Sequence, residues 1–160
     1  MKNIKISEIM STHLITVDIN QKTEDVKRLF EHHHIHHIPV LDKGKLCGII
    51  SLTDFLRITL GAELVEQGEA FDNEGINKVI LEYVTVEQLM TQNPVSLGPD
   101  ALITDAIRLF RLNIFHAIPV VEKGKLIGLV SSLDLLTYME KILNKADFPE
   151  TALISSGGLC

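Results

Sequence analysis

The sequence predicts an α/β (α+β) fold made of two copies of one β-α-β-β-α unit. Residues 7–57 lie over residues 87–137 without a gap, each matching the one 80 positions later, and about a third of the pairs are identical. Each copy also carries one stretch with apolar residues three and four apart, followed by two short aliphatic runs joined by a polar, glycine-bearing turn. A repeat this long that occurs only twice is no solenoid unit, so it means two small domains packed on each other.

The elements follow in order. A short apolar turn, Ile6-Ser7-Glu8-Ile9-Met10 or 86–90, precedes a brief strand, Leu14-Ile15-Thr16-Val17 or Val95-Ser96-Leu97. A helix follows, with Val26, Leu29 and Phe30, or Ala106, Ile107, Leu109 and Phe110, on its apolar face. Glu24 and Asp25 fall in its first turn, where the helix dipole favours acids. The next strand, 37–41 or 117–121, holds Pro39 or Pro119, which lack a donor and therefore belong at a strand start or an edge. Asp42-Lys43-Gly44-Lys45 and Glu122-Lys123-Gly124-Lys125 supply the hairpin turns. The returning strand, 46–50 or 126–130, is nearly all aliphatic and should be buried, and a second helix opens at Ser51 or Ser131.

The chain thus divides into a first domain at 1–57, a partly helical connector at 58–85, a second domain at 86–145 and a flexible tail at 146–160. The connector is longer than a loop without structure of its own. Its first part extends the preceding helix, Gln67-Gly68-Glu69 and Asp72-Asn73-Glu74-Gly75 break it, and residues 76–83 resume an apolar pattern. Pro149 and a Gly-Gly pair suggest a frayed end.

Size and composition narrow the functional classes. Each copy spans roughly 50 residues, near the limit at which a core stabilises itself alone, so the two should fold as one unit. The chain is 46% hydrophobic, yet no apolar run approaches a membrane span and the N-terminus lacks the apolar segment of a signal peptide. A cytoplasmic protein without membrane partners is expected. The formal charge of −6 argues against a nucleic-acid partner, whose binding draws on Lys and Arg. Cys47 stands where the second copy has Ile127 and reads as a small hydrophobe, and with Cys160 it makes no disulfide framework. Seven histidines, five of them between His32 and His37, make the charge dependent on pH near neutrality.

The pattern Ile38-Pro39-Val40, turn, Gly48-Ile49-Ile50-Ser51-x-x-Asp54 recurs as Ile118-Pro119-Val120, turn, Gly128-Leu129-Val130-Ser131-x-x-Asp134. The chain resembles a tandem pair of CBS domains, a Bateman module, over about two thirds of its length. The resemblance implies two domains related by a pseudo-two-fold axis, with clefts that commonly bind adenosine-containing ligands. In similar pairs the aspartate at Asp54 and Asp134 holds the ribose. A carboxylate in the first turn of a helix can accept both ribose hydroxyls, and it can equally serve as a first-turn acid that only stabilises the helix. Ser51 and Ser131 can bond the ligand or act as N-caps. Thr53 adds a hydroxyl where the second copy has Leu133, which makes the clefts unequal.

Basic residues just before Ile-Pro reach the phosphates in CBS pairs that bind nucleotides. Here those positions hold His36 and His37, and His116 followed by Ala117. Histidine is fully charged only near or below its reference pKa of about 6.5, so AMP, ADP or an uncharged adenosyl group is favoured over tight triphosphate binding. ATP and S-adenosylmethionine remain alternatives. The resemblance also places Ile38, Ile118, Ile15 and Val95 along the adenine slot, although core positions explain them as well. Ser11 and Thr91 can add hydroxyls.

On a helix, His32 and His36 would share a face, as would His33 and His37, a spacing suited to zinc, copper or nickel. Against this, Leu112, Asn113 and Ile114 replace the first histidines in the second copy, and no acid or thiol completes a tetrahedral set. No metal is expected, and His32 to His34 read as a solvated helix end. No dinucleotide, P-loop, zinc-protease or nucleophile-elbow motif is present. Ser51, Asp54 and His36 can be assembled as a triad but lack an evident oxyanion site. The expectation is therefore a stand-alone, non-catalytic sensor that needs no cofactor, forms a homodimer and signals adenosine-ligand binding to an unidentified regulated protein. The alternatives are a dimerisation module without a ligand, or a histidine-based metal or pH sensor.

Overall fold

A computed structural model describes residues 3–60, 81–112 and 116–145. The breaks expected at 67–69 and 72–75, Asn113, Ile114, and the C-terminal tail with Cys160 lie outside the described residues.

The first repeat runs from a 3-10 turn at Ile6–Glu8 through β1 (Val17–Asp18), α1 (Thr23–His33), β2 (His37–Asp42), β3 (Lys45–Ser51) and α2 (Leu52–Leu60). The second runs through α3 (Val86–Leu89), β4 (Thr91–Gln92), α4 (Ile103–Leu112), β5 (Ala117–Glu122), β6 (Lys125–Ser131) and α5 (Ser132–Lys145). One sheet has the order β1-β2-β3-β4, with β1 and β2 parallel and the other neighbours antiparallel, and β5 pairs with β6 in a second.

Helix and hairpin chemistry appear where the residues demand them. In α1, Val26 and Phe30 are buried while Arg28 reaches back 2.7 Å to Glu24. The helix stops because His34 takes the left-handed conformation at φ 49°. Lys43 and Gly44 have φ of 48° and 79°, and Lys123 and Gly124 have 49° and 78°, so each two-residue loop is a type I′ turn. Each hairpin then skips one residue. Val40 faces Gly48 but Leu41 faces Leu46, which leaves Cys47 as a bulge, and Ile127 occupies the same place in the second copy. Cys47 packs partly buried against the first core, and burial pushes its thiol up, so it stays a small neutral group.

Two strand expectations change. The first strand of each copy is shorter than its apolar run: only Val17 and Asp18 pair with β2, and in the second copy only Leu97 bridges to Val120. An Asx turn, with Asn20 N–H donating to Asp18 at 2.9 Å, ends the first one. The returning strand is also not buried throughout. Gly48 and Ile50 are buried while Cys47, Ile49 and Ser51 are half-buried, because one face meets the core and the other meets the second repeat.

The copies exchange their leading segments. Ile6 sits in the core of the second repeat with Ala106, Ile118, Val120 and Val130, whereas Val86 and Leu89 complete the core of the first. The bridge Lys5↔Leu102 is mirrored by Lys22↔Thr85, and Ser11↔Leu129 by Ile49↔Thr91. Adding 80 to one partner and subtracting it from the other converts each contact into its counterpart, which is the signature of a pseudo-two-fold axis. Ser11 and Leu129 exchange both backbone bonds, at 2.9 and 3.0 Å. Met10 lies over Gly128 and Met90 over Gly48 so closely that a Cβ at either glycine would collide with the methionine side chain.

Candidate functional site

The two aspartates are set by the way α2 and α5 begin. The Leu52 N–H donates to the His36 carbonyl at 2.9 Å, and the Ser132 N–H to the His116 carbonyl at 3.0 Å, so each histidine backbone anchors a helix N-terminus. Ser51 and Ser131 then cap the helices. The Asp54 N–H donates to Ser51 Oγ at 3.0 Å, and the Asp134 N–H to Ser131 Oγ at 3.2 Å. Each serine hydroxyl in turn donates 2.6 Å to Oδ2 of its aspartate. The N-cap role of both serines is therefore realised.

The second half of each box differs. Asp134 Oδ2 also accepts the Ser131 N–H at 2.7 Å, the reciprocal bond of a capping box. In the first repeat Arg57 Nη1 lies 3.4 Å from Asp54 Oδ1 instead. Among the described residues no such cation stands against Asp134, since Thr137 occupies the equivalent position. Arg57 was not singled out from the sequence, although its i,i+3 spacing from Asp54 was visible there.

Sheet register determines what else shares this face. His37 lies directly opposite Ser51, and Ala117 opposite Ser131, so their side chains project to the same side. Thr91 crosses from the second repeat to pair with Ile49, two residues from Ser51, and Ser11 crosses from the first to pair with Leu129, two residues from Ser131. Each serine–aspartate pair thus has a hydroxyl of the other repeat on its own sheet face. Ile38 and Ile118 point the opposite way, fully buried in their cores, and can present only backbone to this face. Ile15 is half-buried ahead of the paired part of its strand, Val95 is 50% exposed, and Thr53 is exposed on the first turn of α2.

The seam itself runs between β3 and β6, which lie against each other. Burial holds the His37 imidazole below the usual histidine range; the charges of His36 and of His116, from the other repeat, act in the same direction, and Asp54 opposes them. His36 and His116 are exposed. The arrangement offers carboxylates suited to hydroxyl groups and imidazoles suited to an anion.

The histidines of α1 do not join that set. The helix ends at His33, His34 is left-handed and His37 opens a strand, so His32 and His36, or His33 and His37, share no helix face. His32 Nδ1 donates 2.7 Å to the Arg28 carbonyl. Among the described residues no three His, Cys, Asp or Glu side chains converge as a metal-binding group.

A family model described as CBS domain matches residues 6–61 and again residues 86–141. The chain belongs to the CBS domain family. A CBS domain-containing protein of Dictyostelium discoideum is 30% identical over 88% of this chain and 94% of its own length. Of five further curated relatives the chain spans 21% to 47% of the length. Among solved structures, a CBS domain pair in complex with 5-methylthioadenosine and S-adenosyl-L-methionine superposes with a TM-score of 0.68, at 22% identity over 88% of this chain and 99% of that one. The Arabidopsis thaliana CBS-pair protein in complex with AMP gives 0.69, at 23% identity over 88% and 98%. At these identities the structures establish the shared fold of two CBS domains. Among the described residues, no helix is long and apolar enough to cross a membrane.

Proposed function

We propose that this CBS pair is a non-catalytic, cytoplasmic regulatory module that binds an adenosine-containing ligand between its two domains and passes occupancy to a regulated protein. AMP or ADP is the favoured ligand, with ATP and S-adenosylmethionine as alternatives. The observation that carries the reading is the crossed assembly of each half-site: an aspartate held by its capping serine, with a hydroxyl contributed by the other repeat. Ser131 engages Oδ2 of Asp134, and in this reading Oδ1 accepts the ribose hydroxyls. The ligands in the two related structures share an adenosine moiety. In this reading Ser51, Ser131, Thr53, Ser11 and Thr91 support the sugar, His36, His37 and His116 face the phosphate, and Ile38, Ile118, Ile15 and Val95 border the base.

Thermal unfolding with AMP, ADP, ATP and S-adenosylmethionine tests it. A ligand at a hundred times its dissociation constant adds about 2.7 kcal/mol to stability. Asp54→Ala and Asp134→Ala, made singly, should each remove the contribution of one cleft. No shift with any of the four at millimolar concentration discards the reading.

One set of observations favours a dimerisation module instead. Each serine–aspartate box is already satisfied as a helix cap, and α5 exposes Leu133, Leu136, Met139 and Leu143 at helical spacing. A homodimer through this face is compatible with both readings. Sedimentation of Leu136→Glu separates them: the dimer should dissociate, and only a sensor would still show a nucleotide-dependent thermal shift.

A further inference from the structure

At the seam His37 lies within electrostatic reach of His36 beside it, of His116 from the second repeat and of the Asp54 carboxylate. His36 and His116 immediately precede β2 and β5, and their carbonyls accept the first N–H groups of α2 and α5, from Leu52 and Ser132. His37 sits across β2 and β3 from Ser51, on the face that carries Asp54. The charged groups that act on His37 are His36 beside it, His116 from the second repeat and Asp54 from α2. With no anion present, burial above all, then the imidazoles of His36 and His116, hold His37 below the usual histidine range, and the Asp54 carboxylate does not offset them. A phosphate dianion reverses that balance, because an opposite charge within about 4–6 Å raises a histidine pKa by roughly 1–3 units.

We infer that binding of a phosphorylated adenosine at this seam is proton-coupled: His37, on the sheet face that carries Ser51 and Asp54, takes up a proton as the phosphate enters, so AMP affinity falls with rising pH while adenosine affinity does not. The inference rests on the adenosine-ligand reading above and adds a regulatory variable to it. The asymmetry of the repeats assigns the coupling chiefly to His37, since its counterpart is Ala117.

Isothermal titration of the full chain with AMP and with adenosine, at pH 7.5 in buffers of different ionisation enthalpy, tests it. At that pH a phosphate monoester, with its second pKa near ~6, is already dianionic and contributes little uptake of its own. Buffer-dependent heat showing proton uptake is expected for AMP and none for adenosine, with AMP affinity dropping up to about tenfold per pH unit above neutrality. His37→Ala should reduce both the uptake and the pH slope, and the second repeat shows that alanine fits this strand position. His116→Ala should reduce them less, and His33→Ala, on the exposed end of α1, should leave them as in the parent chain. AMP binding without proton uptake and with a flat pH profile overturns the coupling while the ligand site stands. Failure of both AMP and adenosine to bind removes the site and the coupling together.

Discussion

In the first repeat Asp54 shares its carboxylate between the Ser51 hydroxyl and Arg57, whereas in the second Asp134 takes both the hydroxyl and the N–H of Ser131, and Thr137 stands at the arginine's position. Equivalent positions hold His37 and Thr53 in the first repeat, Ala117 and Leu133 in the second. Positions that cross the pseudo-two-fold axis behave differently. Met10 and Met90 lie over Gly128 and Gly48 with the same geometry, and Ser11 and Thr91 make matching bridges. Each exchanged segment must fit the core of the other repeat, as its twin does, so packing holds its shape. The side chains on the serine–aspartate face are not fixed by that exchange, and there the repeats are chemically distinct.

The exchange predicts the largest effects, and they should appear in the other repeat. Ile6 is fully buried in the second core, so Ile6→Ala should cost about 2–5 kcal/mol. Hydrogen exchange should then accelerate at Leu129 and Val130 in β6 more than at Ile49 and Ile50 in β3. Val86→Ala should loosen β3 instead, with a smaller cost because fewer methyl groups are lost. Acceleration in the repeat that carries the substitution would break the comparison, since it would mean that each leading segment serves its own core. Next in size are Gly48→Ala and Gly128→Ala. A new Cβ at either site meets a methionine side chain, so each should destabilise by about 1–3 kcal/mol, and paired Met90→Ala or Met10→Ala should recover part of the loss.

That exchange was not legible in the sequence, for a physical reason. The apolar spacing of Ile6, Ile9 and Met10 says that one face is buried, and says nothing about which of two similar cores receives it. What was legible rests on local chemistry. The two-residue Lys-Gly loops demand left-handed backbone and have it. The Ser-x-x-Asp spacing puts both side chains at a helix start, where they bond. The first strands were over-read because Leu14, Ile15 and Val95 are aliphatic, and strand length depends on a neighbour with free backbone groups rather than on propensity alone. The influence of His116 on His37 was hidden too, since it acts across the seam between β3 and β6.

A weaker effect separates the repeats by pH. The folded state holds the His37 pKa below that of an unfolded histidine. As pH falls through the unfolded value of about 6.5, the unfolded chain binds the proton first, so stability decreases toward acid and is retained above neutrality. Urea midpoints of the ligand-free protein should therefore decline between pH 7 and pH 5.5. His37→Ala, which makes the first repeat resemble the second, should flatten that decline. An unchanged slope would assign it to other groups.

The smallest expected effect is the most discriminating about the clefts. Arg57 and Asp54 form an ion pair with side chains 62% and 41% exposed, and such pairs are worth roughly 0.2–1 kcal/mol at most, less in salt. Arg57→Thr, which copies the second repeat, should hardly move the melting temperature. Its consequence for binding has the opposite sign: a sugar that needs Asp54 must compete with the guanidinium for Oδ1, so removing Arg57 should strengthen adenosine binding in the first cleft by up to a few fold, and Thr137→Arg should weaken it in the second. Adenosine carries no phosphate, so any direct attraction between Arg57 and an anion is absent from this measurement. If Arg57→Thr weakens adenosine binding, the arginine orients Asp54 for the sugar instead of occupying it, and the two clefts differ in how they hold the same carboxylate rather than in how freely they offer it.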